Sequence, residues 1–220
     1  MSSALETKLA GFVAAQLPPN DPAHDLAHVR RVVANAKRLA AAEGADLDVV
    51  LPAAWLHDCV VVPKDSAQRP QASRLAAARA VEFLSEIGYP AAHFPAIRHA
   101  IEAHSFSARI PAETLEARVV QDADRLDALG AVGIARTLML GAAMGKPLYD
   151  EDEPLPLTRP PDDGRNVIDH FYTKLLRLAE MMQTESGRRE AERRTQLMRV
   201  YLAELGREIT EGADSNDPLP

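Results

Sequence analysis

The chain has a single cysteine, Cys59, so no internal disulfide can close. It is also short of cations. Its 25 Lys and Arg stand against 32 Asp and Glu, for a net charge of −7, and the pI is near 5.5. A nucleic-acid polymer or an anionic membrane surface rewards a basic face, so neither is an expected partner, whereas a local cationic cluster can still bind a small anion. No apolar segment approaches the roughly 20 residues of a membrane helix. The opening "MSSALETKLAGFVAAQL" has neither the charged start nor the long apolar run of a secretory leader, so a soluble protein in a reducing cytoplasm is expected. Period-two alternation of β-branched residues is scarce, and no repeat or low-complexity tract appears.

What is abundant is helical spacing, which predicts an all-α, single-domain bundle around one core. The expected organisation is an N-terminal helical segment over 1–20, a main domain over 21–211 and a flexible tail over 212–220. "DPAHDLAHVRRVVANAKRLAAAEG" is expected to start at Asp21 and Pro22 and to stop at Gly44, with Leu26, Val29, Val33, Ala36 and Ala40 in one stripe. "DLDVVLPAAWLHDCVVVP" is apolar on almost every side, which predicts a central helix ended by Pro63. Further helices are read in "QASRLAAARAVEFLSEIG", in "FPAIRHAIEAHSF" and in "TLEARVVQDADRLDALGAVGIARTLML", the last bent near Gly130 and Gly133. Residues 141–165 are rich in Pro, Asp and Gly and lack a helical period, so they are read as a long loop, either a lid or a disordered insertion. Helical spacing returns from Asn166, with Phe171, Leu175, Leu178 and Met182 packed. After a break at Ser186 and Gly187, a final helix is expected to run to about Ile209.

Within the apolar central helix stand His57 and Asp58. A buried carboxylate is costly unless paired or bound to a metal. His28 shares a helical row with Val32, Ala36 and Ala40; Asp124 and Asp127 share one side of a mostly apolar helix. Taken alone, such a histidine is more often a satisfied core residue, and such an aspartate pair more often a helix face that reaches water or pairs with arginine. Together His28, His57, Asp58 and Asp124 offer two imidazoles and two carboxylates from three helices, a donor set for one divalent ion. Manganese or iron is the moderate choice, with magnesium, nickel and zinc in play. Neighbours on a helix diverge by about 100°, so His57 and Asp58 share an ion only near the helix edge. Cys59 has nothing to activate its thiol and is read as packing.

In sequence order, "HDLAHVRRV", "WLHDCVVVPK", "AIEAHSFSA", "VVQDADRLDALGAVGIART" and "DHFYTKLL" resemble the HD-domain metal-dependent phosphohydrolases, and most of all their small bacterial YedJ/YpgQ-like branch. The likeness runs from about His24 to Glu204. It implies an all-helical metal-dependent phosphohydrolase whose ligands fall on His28, His57, Asp58 and Asp124. Val61 and Val62 stand where the deoxynucleotidase and alarmone-hydrolase branches keep acids, so both of those lose weight.

The expected activity is therefore release of phosphate or pyrophosphate from a small phosphorylated molecule, most plausibly a nucleotide, by a monomer or homodimer. Asp127 is a candidate to orient or deprotonate water, or else it pairs with Arg125 or Arg136. His104 faces the core and is a candidate phosphate contact or ligand support, or else a plain buried histidine; His99 does not face it. Lys64, Arg69, His170 and Lys174 are candidate phosphate contacts, the last two by their place on one helical row, while Arg31 is read as holding a helix carboxylate. A dinuclear phosphodiesterase or oxygenase, or a non-catalytic sensing module, are the alternatives.

Overall fold

The computed structural model describes residues 3–17, 25–62, 66 and 68–214. Among them there is no strand, and the α-helices are α1 (Ser3–Gln16), α2 (Leu26–Glu43), α3 (Leu47–Leu56), α4 (Ala72–Glu86), α5 (Phe94–His104), α6 (Leu115–Asp127), α7 (Gly130–Ala143), α8 (Asp169–Thr173) and α9 (Glu185–Asp214). No single described helix is long and apolar enough to cross a membrane. Two compact units are present. The first comprises Met1–Asp127 with Met182–Arg188, and the second Ala128–Met181 with Arg189–Pro220.

In the first unit α6 packs on both α2 and α5, and α3 packs against all three of these helices. Val29, Val33, Ala36 and Ala40 of the expected α2 stripe are buried, and face α3 and α6 with Leu56, Ile97, Ile101, Val120 and Leu126. Each valine, leucine and isoleucine among them contributes roughly 1.5–3 kcal/mol of burial. The predicted α2 start at Asp21 and Pro22 lies outside the described residues. Asp25 caps the helix instead, its carboxylate accepting the His28 N–H at 2.7 Å. The expected stop holds, since Gly44 closes α2 at φ 75°, a conformation that costs glycine least.

Four sequence expectations are corrected. The central helix ends at Leu56 rather than running to Pro63, which lies outside the described residues. The reason is local: the His57 ring takes the Ala54 carbonyl at 2.8 Å, an oxygen that a continuing helix would have given to a backbone N–H. The helix drawn from Thr114 to Leu140 is two helices, α6 and α7, with Ala128 and Leu129 between them. Ser186 and Gly187 do not break the chain but open α9, which reaches Asp214, past Ile209. Gly187 is there for space, because a Cβ on it would stand 2.5 Å from an oxygen of Asp122. That buried carboxylate accepts the Gln183 and Thr184 N–H groups and the Thr184 hydroxyl, a bonding pattern invisible in the linear pattern. Lastly, the helix expected from Asn166 is only α8 followed by a 3-10 turn over Leu175–Met181.

The second unit is built on Val167, Ile168, Phe171, Leu175, Met198 and Leu202. Residues 141–165, expected to form one long loop, begin with the end of α7 at Ala143, and the rest is not a structureless insertion. The Glu153 carboxylate accepts the N–H groups of Leu157 and Thr158 at 2.8 and 2.5 Å, Arg159 makes a two-pronged pair with buried Asp169 at 2.6 and 2.7 Å, and Lys146 donates to the Asp163 carbonyl. Val167 and Ile168 donate back to Pro147 and Leu148.

Candidate metal centre

The first unit brings His28, His57, Asp58 and Asp124 together. His28 sits in the first turns of α2, His57 and Asp58 directly after α3, and Asp124 in the last turn of α6. Donor atoms of His28, His57 and Asp58 lie within 4.8 Å of one another, the one such metal-competent group among the described residues. The Asp124 Oδ1 is 3.5 Å from His28 Nε2 and 3.8 Å from His57 Nε2, and Asp58 Oδ2 is 3.6 Å from His57 Nε2. His57 and Asp58 were expected to share an ion only near a helix edge, and they stand just past the end of α3, which closes at Leu56.

Both imidazoles are oriented from behind. His57 gives its Nδ1–H to the Ala54 carbonyl, and His28 gives its Nδ1–H to Asp127 Oδ2 at 2.7 Å. Each therefore turns an Nε2 lone pair towards the two carboxylates. The His57 Nε2 is fully buried and has no hydrogen-bond partner. A buried lone pair aimed at carboxylate oxygens is repulsive unless a cation lies between them, so the donor set fits a divalent ion. Burial holds the His57 imidazole below its ordinary pKa, despite the opposing pull of Asp58, which keeps it in the neutral form a metal requires.

Asp127 is almost fully buried and pairs with Arg31, which is not among the arginines expected for it; the Arg31 Nε lies 2.6 Å from Oδ1 and a second nitrogen lies 3.0 Å from Oδ2. With Oδ2 also on His28, both oxygens are engaged. Arg31 does hold a helix carboxylate, as its placement suggested. The hydrogen bond to Asp127 raises the Arg31 guanidinium pKa further.

His104, at the end of α5, gives Nδ1–H to the Ile101 carbonyl at 2.6 Å and brings Nε2 to 3.4 Å from Asp58 Oδ1. Burial works against its charged form, but the hydrogen bond and charge of Asp58, with Asp124, outweigh it and hold its pKa above the ordinary value. His99 turns away, accepting the Glu113 N–H. Lys64 lies outside the described residues. Arg69 opens the 3-10 turn Arg69–Gln71. In the second unit, His170 bonds Asp163 at 2.9 Å, and the exposed Lys174 stands at φ −134°, off the end of α8, so the shared helical row expected for these two is broken. Arg109, Gln121 and Arg125 were not read as functional. No spacing pattern marks them, because a cavity wall drawn from two segments has no period.

Cys59 is buried beside Ala76, and burial, with the nearby Asp58 charge, pushes its thiol up to about 12. Thiolate is the reactive form and is essentially absent below pH 9. Iodoacetamide at pH 8 is therefore expected to leave the folded protein unmodified and to alkylate one site in denaturant, as read by mass; rapid native labelling would contradict this.

Residues 25–129 match the HD domain family. The chain is 35% identical over 202 residues, 90% of this chain and 90% of the other, to the uncharacterised protein YpgQ of Bacillus subtilis. Among solved structures it is similar to B. subtilis YpgQ in complex with ADP, at a TM-score of 0.71 and 34% identity over 92% of this chain and 97% of that one. It is also similar to an HD-superfamily hydrolase from Bacillus thuringiensis, at a TM-score of 0.71 and 29% identity over 93% and 96%.

Proposed function

The chain belongs to the HD domain family, and from that premise we propose that it is a divalent-metal-dependent phosphohydrolase acting on a small phosphorylated molecule, a nucleotide above all. The observation that carries this reading is the buried, unpartnered His57 Nε2, faced by Asp58 and Asp124. The ADP in the YpgQ structure favours a nucleotide ligand here. His28, His57, Asp58 and Asp124 would hold the ion, with manganese or iron suited to two nitrogens and two oxygens. Such an ion supplies a Lewis acid for a phosphoryl oxygen and makes a water acidic enough to act as nucleophile near neutral pH.

The protein's own groups do the rest. The Ala54 carbonyl and Asp127 fix the two histidine rings, so the site needs little reorganisation on binding. Asp127, with both oxygens engaged, orients His28 in this reading and does not take the water's proton. His104 holds a proton at Nε2 against Asp58, from where it can donate to a phosphoryl or leaving oxygen. Ala54, Leu56, Val120 and Ala123, all fully buried, form a dry wall that strengthens each of these interactions. Lys64, Arg69, His170 and Lys174 remain candidate phosphate contacts on their charge and place in the sequence. A single metal-competent group among the described residues, with His99 turned aside, favours one ion over two.

The test is a panel of nucleotides, sugar phosphates and inorganic polyphosphates offered to chelator-stripped protein with manganese, iron, magnesium, nickel or zinc restored singly. Phosphate or pyrophosphate release should appear only with an ion present, and most strongly with nucleotides. No release from any combination would favour a sensing module on the same fold.

A further inference from the structure

The first unit contains a cavity of about 290 Å³ lined by Ser105, Phe106, Arg109, Ile110, Gln121 and Arg125. Its wall is tied to the four-residue cluster through the chain. Arg125 directly follows Asp124, whose charge it feels, and Ser105 directly follows His104, whose ring reaches Asp58. The cavity wall therefore comes from α6 and from the segment that leaves α5, each one residue on from a group at the centre. Its volume is near the lower limit of about 300 Å³ for small-molecule sites, enough for one ring with its adjoining group.

The lining has a distinct chemistry. Two arginines line one cavity in a chain that is acidic overall. Arg109 is exposed, with no ion pair among the described residues, and it alone of the non-glycine described residues has a positive φ, 53°. L side chains adopt that backbone at a cost, and such strain gathers where a ligand needs the side chain. Phe106, three residues earlier, leaves 65% of its surface to solvent, and Ile110 lies beside it in the wall. Gln121 is buried and donates its amide to the Ala103 carbonyl at 2.7 Å, which leaves the carbonyl end of its side chain to accept a bond.

Cations next to an aromatic face with one polar acceptor match a planar, N–H-bearing ring that carries a phosphate. A sugar phosphate would use the arginines and leave Phe106 in water. We propose that this cavity is the subsite for the part of the substrate remote from the reacting phosphorus, with a nucleobase against Phe106 and Ile110, its N–H on Gln121, and an adjoining phosphate held by Arg109 and Arg125. The assignment rests on the phosphohydrolase reading for which end of the ligand reacts, and on the cavity alone for what binds.

The test is equilibrium binding to the metal-free full chain, where no turnover intrudes, with AMP and ribose 5-phosphate as probes. Wild type should bind AMP more tightly than ribose 5-phosphate. Phe106→Ala should weaken AMP roughly five- to hundredfold, the range for losing one base–aromatic stack, and leave ribose 5-phosphate within twofold. Arg109→Gly should weaken both probes while its melting temperature stays level or rises, because glycine relieves the positive φ; a residue kept only for the fold would not separate the two readouts. AMP binding that is absent in wild type, or unchanged in either variant, overturns the subsite. If wild type releases phosphate from nucleotides yet Phe106→Ala binds AMP normally, the subsite falls and the hydrolase stands. Phe106-dependent AMP binding without turnover under any ion does the reverse.

Discussion

Asp58→Ala, and separately His57→Ala, should abolish turnover and bound metal together. His99 accepts from Glu113 and does not stand ready to replace either donor. Losing the Lewis acid costs several kcal/mol of barrier stabilisation, about a thousandfold or more in rate. The same variants separate this from misfolding. An ion that binds only the folded chain raises its stability by RT ln(1 + [M]/Kd), about 2.7 kcal/mol at a hundredfold excess over Kd. The wild-type melting temperature should therefore climb with added manganese, and that of Asp58→Ala should not, while the two melt close together in chelator. A variant that keeps its metal and its rate would end the proposed mechanism.

Asp127 carries the second large effect. It links the His28 ring to the Arg31 guanidinium from a position only 1% exposed. Asp127→Ala leaves two donors facing a cavity, and breaking a buried pair this way typically costs about 3–5 kcal/mol; Arg31 is itself 36% exposed, so water recovers part and the low end is expected. Asp127→Asn keeps the volume but weakens the grip on His28 Nδ1, and metal affinity should fall ten- to hundredfold, as for other groups that orient a metal-bound histidine. Arg31→Met provides the contrast, because it removes the ion pair but leaves the carboxylate on His28. It should lower the melting temperature while shifting metal affinity much less than Asp127→Asn. Equal losses of affinity in the two variants, measured by metal titration, would make Asp127 a general stabiliser instead of a ligand-orienting group.

The helices were legible because their cause is local. The α2 stripe and the Gly44 stop depend on neighbours three or four residues away, and both stand in the structure. The errors fall where a side chain's own bonding or a distant partner overrules the apolar pattern. The apolar run through His57 reads as continuous helix, yet it ends at Leu56, where the His57 ring takes the Ala54 carbonyl three residues back. Ser186 and Gly187 look like a break, yet the glycine is the one residue small enough to pass Asp122, so the helix begins there. The arginines near Asp127 in the sequence are Arg125 and Arg136, yet it pairs with one from α2, 96 residues back.

The sequence by itself determined the all-helical class, the family likeness and the identities of the two imidazoles and two carboxylates, because residue type and order carry the donor chemistry. Only the tertiary structure decided that Nε2 and not Nδ1 of each histidine turns towards Asp124, that both oxygens of Asp127 are engaged, and that Arg109, Gln121 and Arg125 line one cavity with Phe106. Those facts depend on which hydrogen-bond partners and which cavity the packed segments bring together. Asp127 lies 99 residues from His28 and 96 from Arg31 in the chain, a separation that leaves no periodic trace in it.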